Sequence, residues 1–138
     1  MAYAFMSRSK RINIQEELFK SLTENALDFL KTAAHQLEKS PKQSLINFAF
    51  AVEIFLKARL MLEHWSLVVV KPESANIEDF RSGKSKTVTG AEAIQRLEKI
   101  AGEVILRHEK EAFADVAEHR NKLIHFFDFC TLSHEGIE

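Results

Sequence analysis

The sequence predicts an all-α protein, an up-and-down bundle of four to five helices. Only four glycines and two prolines occur in 138 residues, so the chain has few breaks and favours long elements. Apolar residues recur at intervals of three and four, which is typical of amphipathic helices. The length suits a single domain covering residues 1–138, with a core expected at about 13–129.

Composition narrows the class of protein. The single cysteine, Cys130, excludes an internal disulfide, and with no secretory signature it indicates a reducing compartment, so we expect a cytoplasmic protein. Every apolar run is shorter than the ~20 residues that a membrane-spanning helix needs, so we expect no membrane partner. The net charge of −1 gives no general attraction to nucleic acid. Any contact with RNA must therefore be local.

The first helix is predicted to start near Ile14. The Asn13 side chain can accept hydrogen bonds from free backbone amides at a helix start, and the Glu16 side chain can accept one from the Asn13 backbone amide. Downstream apolar residues form one stripe along about six turns: Leu18, Leu22, Ala26, Phe29, Leu30, Ala33 and Leu37. That stripe is expected to face the core.

The second helix is predicted to begin at Ser40-Pro41-Lys42-Gln43, which combines a capping serine, a proline at the first helical position and a glutamine three residues after the cap. Apolar residues cover a wide surface of this helix as far as Leu62, interrupted by Glu53 and Lys57. A surface that wide predicts a central helix contacted on several sides.

Helical periodicity fails from Val68 to Val88, and we expect an exposed, flexible loop there. It carries the basic residues Arg81, Lys84 and Lys86. Thr89-Gly90-Ala91-Glu92 then predicts a capped short helix that ends at Gly102. The last helix is predicted to run from about residue 104 or 108 to Phe129.

One charged residue interrupts the apolar stripe of the last helix. The stripe consists of Phe113, Val116, Arg120, Leu123, Ile124 and Phe127. A charge at a core position is costly unless it is paired. Arg120 is therefore either held by an acidic partner such as Glu53, extended to solvent over its buried stem, or part of a functional site. Asn121 and His125, four residues apart, share one face beside it.

Arg120-Asn121-Lys122-Leu123-Ile124-His125 has the Arg-polar-x-x-x-His form of the HEPN superfamily, and the chain resembles those domains. The resemblance extends to Ala51-Val52-Glu53-Ile54-Phe55-Leu56-Lys57-Ala58 in the second helix and covers most of the chain from Ile14 to Phe129. It implies metal-independent cleavage of RNA by a homodimer in which both copies contribute to a composite site, without a cofactor or metal. It also implies a toxin or defence effector, with an antitoxin or nucleotidyltransferase as partner.

The chemistry suits these residue types. Cleavage by attack of a ribose 2′-hydroxyl needs a proton acceptor, a proton donor and positive charge at the phosphate. A histidine such as His125 exchanges protons at neutral pH, and Arg120 offers a charged planar fork to phosphate oxygens. Asn121 is expected to position His125 or to hold the phosphate. Glu53 is the candidate for orienting Arg120, with a purely structural Glu53–Lys57 pair as the alternative.

The geometry of one helix favours two copies. Arg120 and His125 diverge by about 140° around a helix, so one copy presents them poorly to a single phosphate, whereas a twofold dimer can supply both. One departure from the family matters: some members paired with a nucleotidyltransferase carry a tyrosine two residues after the motif histidine, where this chain has Phe127. Regulation by modification of that tyrosine is therefore not expected.

Other assignments are open. Lys122, Arg81, Lys84 and Lys86 are candidates for RNA binding, with a solvated surface as the alternative. A zinc site built from His119, His125, Cys130 and His134 is disfavoured because the spacing fits no compact arrangement. The main rival function is a non-catalytic helical module that binds a nucleotide, an RNA or a protein. A purely structural dimerisation bundle would instead bury Arg120 in an ion pair closed to solvent.

Overall fold

The computed structural model describes the backbone of residues 2–125 and the side chains of residues 13–125. This part of the chain confirms the all-α bundle. It contains two short 3-10 helices, Trp65–Val68 and Pro72–Ser74, and five α-helices: α1 (Ala2–Gln36), α2 (Pro41–Met61), α3 (Ile77–Arg81), α4 (Gly90–Lys99) and α5 (Arg107–His125). No helix among these is both long and apolar enough to cross a membrane.

Helices α1 and α2 pack against each other through small side chains. Ala26 and Ala33 of α1 and Ala51 and Ala58 of α2 are buried. The buried Ser44 hydroxyl on α2 donates to the Ala33 carbonyl at 2.6 Å. Small side chains at these positions let the backbones of the two longest helices approach closely.

The start of α2 is confirmed and the start of α1 was predicted wrongly. Pro41 is the first residue of α2, although the Ser40 side chain makes no capping bond and only its backbone carbonyl accepts, from the Ser44 amide. Helix α1 begins at Ala2, not near Ile14, so Asn13 lies within the helix. Residues 2–12 contain no glycine or proline, so nothing in the backbone stops the helix from extending.

The predicted stripe of α1 is buried only in part. Ala26 and Ala33 are buried, and Leu18 and Leu22 pack against the core. Leu30 and Leu37 are 37% and 66% exposed. Helix α1 packs chiefly on α2. Because one neighbouring helix covers only a narrow strip of its surface, the outer residues of the stripe stay exposed.

Helix α2 is central, as its wide apolar surface predicted. It packs against α1, α4, α5 and the first 3-10 helix. The core lies at its C-terminal end and contains six fully buried or nearly buried residues: Leu60, Met61, Val68, Val88, Ala93 and Leu97. Helix α5 packs on α2 and on α4, which brings the predicted Arg120 position against the middle of α2.

The prediction of an exposed loop from Val68 to Val88 was wrong at both ends. Val68, Val69 and Val88 are buried. Val69 pairs with Thr87 in an antiparallel β-bridge, and the Val88 amide donates to the Val68 carbonyl at 2.9 Å. Valines at the two ends of the segment meet in the core, where mutual pairing satisfies their backbone groups. The middle of the segment forms the second 3-10 helix and α3.

Arg96 on α4 binds the start of the segment 68–88 through hydrogen bonds to its backbone. Its Nη1 donates to the carbonyls of Leu67 and Val69, both at 2.6 Å, and its Nη2 donates to the Val70 carbonyl at 2.8 Å. These carbonyls lie where the chain leaves the first 3-10 helix. A half-buried arginine thus satisfies backbone acceptors that no regular element covers.

The boundaries of α4 and α5 follow the predicted signals. Thr89 and Glu92 form the predicted capping box of α4, and Gly102 adopts a φ of 70° just after that helix. Helix α5 begins at Arg107, and its predicted end at Phe129 lies outside the described residues. On the predicted stripe, Leu123 is buried but Ile124 is 47% exposed, because α2 and α4 cover only one side of α5.

Candidate active site

Arg120 is held at the contact between α5 and α2. Its Nη1 donates to Glu53 Oε2 at 3.1 Å, and its Nε and Nη2 donate to Asn121 Oδ1 at 3.3 and 3.1 Å. Its guanidinium carbon lies 5.7 Å from the centroid of the Phe50 ring, within the range of a cation–π contact. Of the alternatives that the sequence left open, an ion pair with Glu53 is present, and the Arg120 side chain is 20% exposed.

Glu53 contacts both cations that the sequence offered as alternatives. Lys57 Nζ donates to Glu53 Oε1 at 2.9 Å while Arg120 contacts the other carboxylate oxygen. Lys57 Nζ also lies 3.1 Å from the Thr87 hydroxyl. A chain of side-chain contacts thus runs from Thr87 through Lys57 and Glu53 to Arg120.

The charges around Glu53 keep it ionised. Burial raises the pKa of its carboxyl, but the hydrogen bonds and positive charges of Lys57 and Arg120 outweigh that effect, and the pKa of Glu53 lies below its ordinary value. An ionised Glu53 holds one edge of the Arg120 fork. A guanidinium has five N–H groups. Within residues 13–125, three of these groups in Arg120 donate to Glu53 and Asn121, which leaves two that can donate to a ligand.

His125 is exposed at the end of the described part of α5. Asn121 was expected to position His125 or to hold the phosphate; it makes no hydrogen bond to His125, and its carbonyl oxygen accepts from Arg120. His119, six residues earlier on the same helix, places its Nδ1 2.8 Å from the Asp115 carbonyl oxygen. Of the two histidines, His125 is the one without a hydrogen bond to another described residue.

The structure does not gather the candidate RNA-binding residues around Arg120. Lys122 pairs with Glu118 at 3.1 Å, and Arg81 lies 3.9 Å from Glu17 on α1. Lys84 and Lys86 are exposed in the segment before α4. None of these four residues lines the cavity beside Arg120.

That cavity, of about 570 Å³, lies between α2, the start of α4 and α5. Sequence patterns did not predict this cavity, because its walls come from three separate helices. Thr89, Gly90 and Lys110 belong to it in addition to Glu53, Arg120 and Asn121. Lys110 pairs with Glu98 at 2.6 Å. The predicted capping box did mark one wall, since Thr89 is both the cap of α4 and a lining residue.

No group of three metal-ligating side chains occurs within the described part of the chain. Two members of the disfavoured zinc set, Cys130 and His134, lie outside it. No family model, curated protein or solved structure matches the chain.

Proposed function

We propose that the chain is a metal-independent endoribonuclease of the HEPN type, acting in the cytoplasm as a homodimer and serving as a toxin or defence effector with an antitoxin partner. The observation that carries the proposal is the setting of Arg120. This arginine lies on the apolar stripe of α5 and is oriented by Glu53 and Asn121, and two of its N–H groups make no hydrogen bond to residues 13–125. His125, on the same helix, is exposed.

Arg120 would stabilise the negative charge that develops on the phosphate. As the 2′-oxygen bonds to phosphorus, negative charge grows on the non-bridging phosphate oxygens. A guanidinium already held by Glu53 and Asn121 loses little conformational freedom when it contacts those oxygens, and preorganised charge of this kind stabilises a transition state effectively. Its setting supports the role assigned to it by the resemblance.

His125 would move the protons. The reaction needs one group that removes the 2′-hydroxyl proton and another that protonates the leaving 5′-oxygen, and imidazole serves either role at neutral pH. In a homodimer two copies of His125 are present, one for each role. The 2′,3′-cyclic phosphate and a free 5′-hydroxyl are the expected products.

Helix geometry supports the two-copy arrangement. Five residues along α5 separate Arg120 from His125 by about 140° in direction and roughly 7.5 Å along the axis. Ile124, beside His125, is an apolar residue 47% exposed on α5, as a residue of an interface would be. A second α5 packed there by twofold symmetry would bring its own Arg120 and His125 to the same RNA.

The test is cleavage of mixed cellular RNA by the purified chain in excess EDTA. Wild type is compared with His125→Ala and with His119→Ala, which removes an exposed histidine of the same helix. We expect cleavage with wild type and His119→Ala, loss of cleavage with His125→Ala, and cyclic-phosphate ends. Equal cleavage by all three proteins, or activity that EDTA abolishes, would overturn the proposal.

A non-catalytic module that binds nucleotides is the second candidate, and the cavity beside Arg120 favours it. The two functions differ in cells. Induced expression of an active ribonuclease arrests growth, and His125→Ala relieves the arrest. A binding module gives the same growth with either chain.

A further inference from the structure

The cavity between α2, α4 and α5 has an apolar wall. Val52 and Leu56 come from α2, Ile94 from α4 and Phe113 from α5. Its volume of about 570 Å³ lies within the range of roughly 300–1,000 Å³ that is usual for small-molecule pockets. A flat, partly apolar group such as a nucleobase fits a wall of this kind, and Phe113 adds an aromatic surface for stacking.

Polar groups line the same cavity. Arg120 has two N–H groups not used in bonds to Glu53 and Asn121. The Asn121 amide nitrogen has no hydrogen-bond partner among residues 13–125, and Asn121 is exposed. An amide group is suited to the donors and acceptors on the edge of a base.

The start of α4 adds positive potential next to Arg120. Gly90 and Ala91 line the cavity in the first turn of α4, where backbone N–H groups have no partner within the helix. A Cβ atom placed on Gly90 would lie 3.8 Å from Glu53 Cγ. The start of α4 therefore lies close to the residue that orients Arg120, on the same cavity.

We infer that this cavity binds one nucleoside phosphate unit of the RNA, with the base against the wall formed by Val52, Ile94 and Phe113 and the phosphate at Arg120. The inference rests on the proposed function and names the part of the substrate that the site holds. An aliphatic carboxylate could also pack on the apolar wall and pair with Arg120, but it would leave the Asn121 amide without a hydrogen-bond partner in the ligand.

The experiment fills the cavity from two directions. Ala117 on α5 and Ala91 on α4 are exposed residues that line it, and Ala112 is an exposed alanine of α5 that does not. Ala117→Trp and Ala91→Trp therefore place an indole in the cavity, and Ala112→Trp is the matched control. Because all three sites are exposed, we expect each variant to fold, and circular dichroism of each variant checks this.

Binding is measured by amide NMR titration of the full chain with the four nucleoside 3′-monophosphates at millimolar concentration, and with octanoate. For wild type and Ala112→Trp we expect shifts centred on the amides of Gly90, Ala91 and Asn121. Affinity should fall at least about tenfold in both filled variants. No shift with any nucleotide, unchanged affinity in the filled variants, or tighter binding of octanoate would overturn the inference.

Cleavage of a short RNA by the same proteins separates this inference from the proposed function. A filled cavity should raise KM at least about tenfold, with no change in Ala112→Trp. Nucleotide binding in the cavity without cleavage by any chain would reject the ribonuclease and leave a cavity that takes free nucleotides. Cleavage with the wild-type KM in both filled variants would reject the cavity as a subsite and leave the ribonuclease standing.

Discussion

Arg96 on α4 and Arg120 on α5 are both half-buried cations, and the two helices that carry them both pack on α2. Arg96 donates to three backbone carbonyls, those of Leu67, Val69 and Val70. Arg120 donates to two side chains, the Glu53 carboxylate and the Asn121 amide oxygen. The partners of Arg96 are neutral and belong to a packed backbone, whereas those of Arg120 are side chains at the wall of a cavity.

This difference separates a structural arginine from a candidate catalytic one better than burial does. Backbone carbonyls around Arg96 would lose their donors if it moved, so its position is tied to the fold. Glu53 keeps its bond to Lys57 whether or not Arg120 stays. Arg120 is thus oriented by side chains but is not needed to hold a packed segment in place. Such a residue can contact a substrate without disturbing the fold.

The largest expected effect is on cleavage by Arg120→Ala. Removing preorganised positive charge from the transition state should lower kcat by about 10²–10³-fold. The free energy of unfolding should fall by only about 1 kcal/mol, because Glu53 retains Lys57. Single-turnover cleavage and urea unfolding measure the two quantities. A large loss of stability with little loss of activity would make Arg120 a structural residue like Arg96.

Arg96→Ala should show the opposite pattern. Three carbonyls at the end of the first 3-10 helix lose a charged donor, and we expect a loss of about 3 kcal/mol in the free energy of unfolding. Activity per folded molecule should stay near that of wild type, as measured well below the unfolding midpoint. Stability equal to that of wild type would contradict the structural role.

Glu53→Gln tests the ion pair through pH. The pKa of Glu53 is lowered in the folded chain, so its ionised form adds stability that is complete above the ordinary value of 4.5 and is lost as pH falls through the lower folded value. Urea unfolding at about pH 7 and about pH 4 should show a smaller pH-dependent loss for Glu53→Gln than for wild type. Glu118→Gln, at an exposed pair with Lys122, is the control. An identical loss in wild type and Glu53→Gln would show that the pair does not stabilise the fold.

The smallest expected effect is that of Asn121→Ala. It frees two N–H groups of Arg120 but leaves the bond to Glu53, so cleavage should fall about tenfold through looser orientation. Asn121 is exposed, so the free energy of unfolding measured in urea should stay within about 0.5 kcal/mol of wild type. A loss as large as that of Arg120→Ala would instead indicate that Asn121 contacts the reacting groups.

Much of the fold could be predicted from local signals. The start of α2 at Pro41 and the capping box at Thr89 are set by nearest neighbours in the chain, and both were confirmed. The start of α1 was wrong because a capping pattern at Asn13 cannot end a helix that no residue interrupts. The segment 68–88 was wrong because its order depends on contacts between its two ends and with Arg96.

By itself the sequence determined the helical class, the central place of α2, and the presence of a charge at Arg120 on an apolar stripe, with Glu53 as a candidate partner. These follow from spacing along single helices and from the cost of an unpaired buried charge. Only the tertiary structure decided that Asn121 binds Arg120 rather than His125, that Arg96 fastens the segment after α2, and that a cavity lies beside Arg120. Each of these depends on distances between side chains of different helices or on rotamer choices within one, which helical periodicity does not encode.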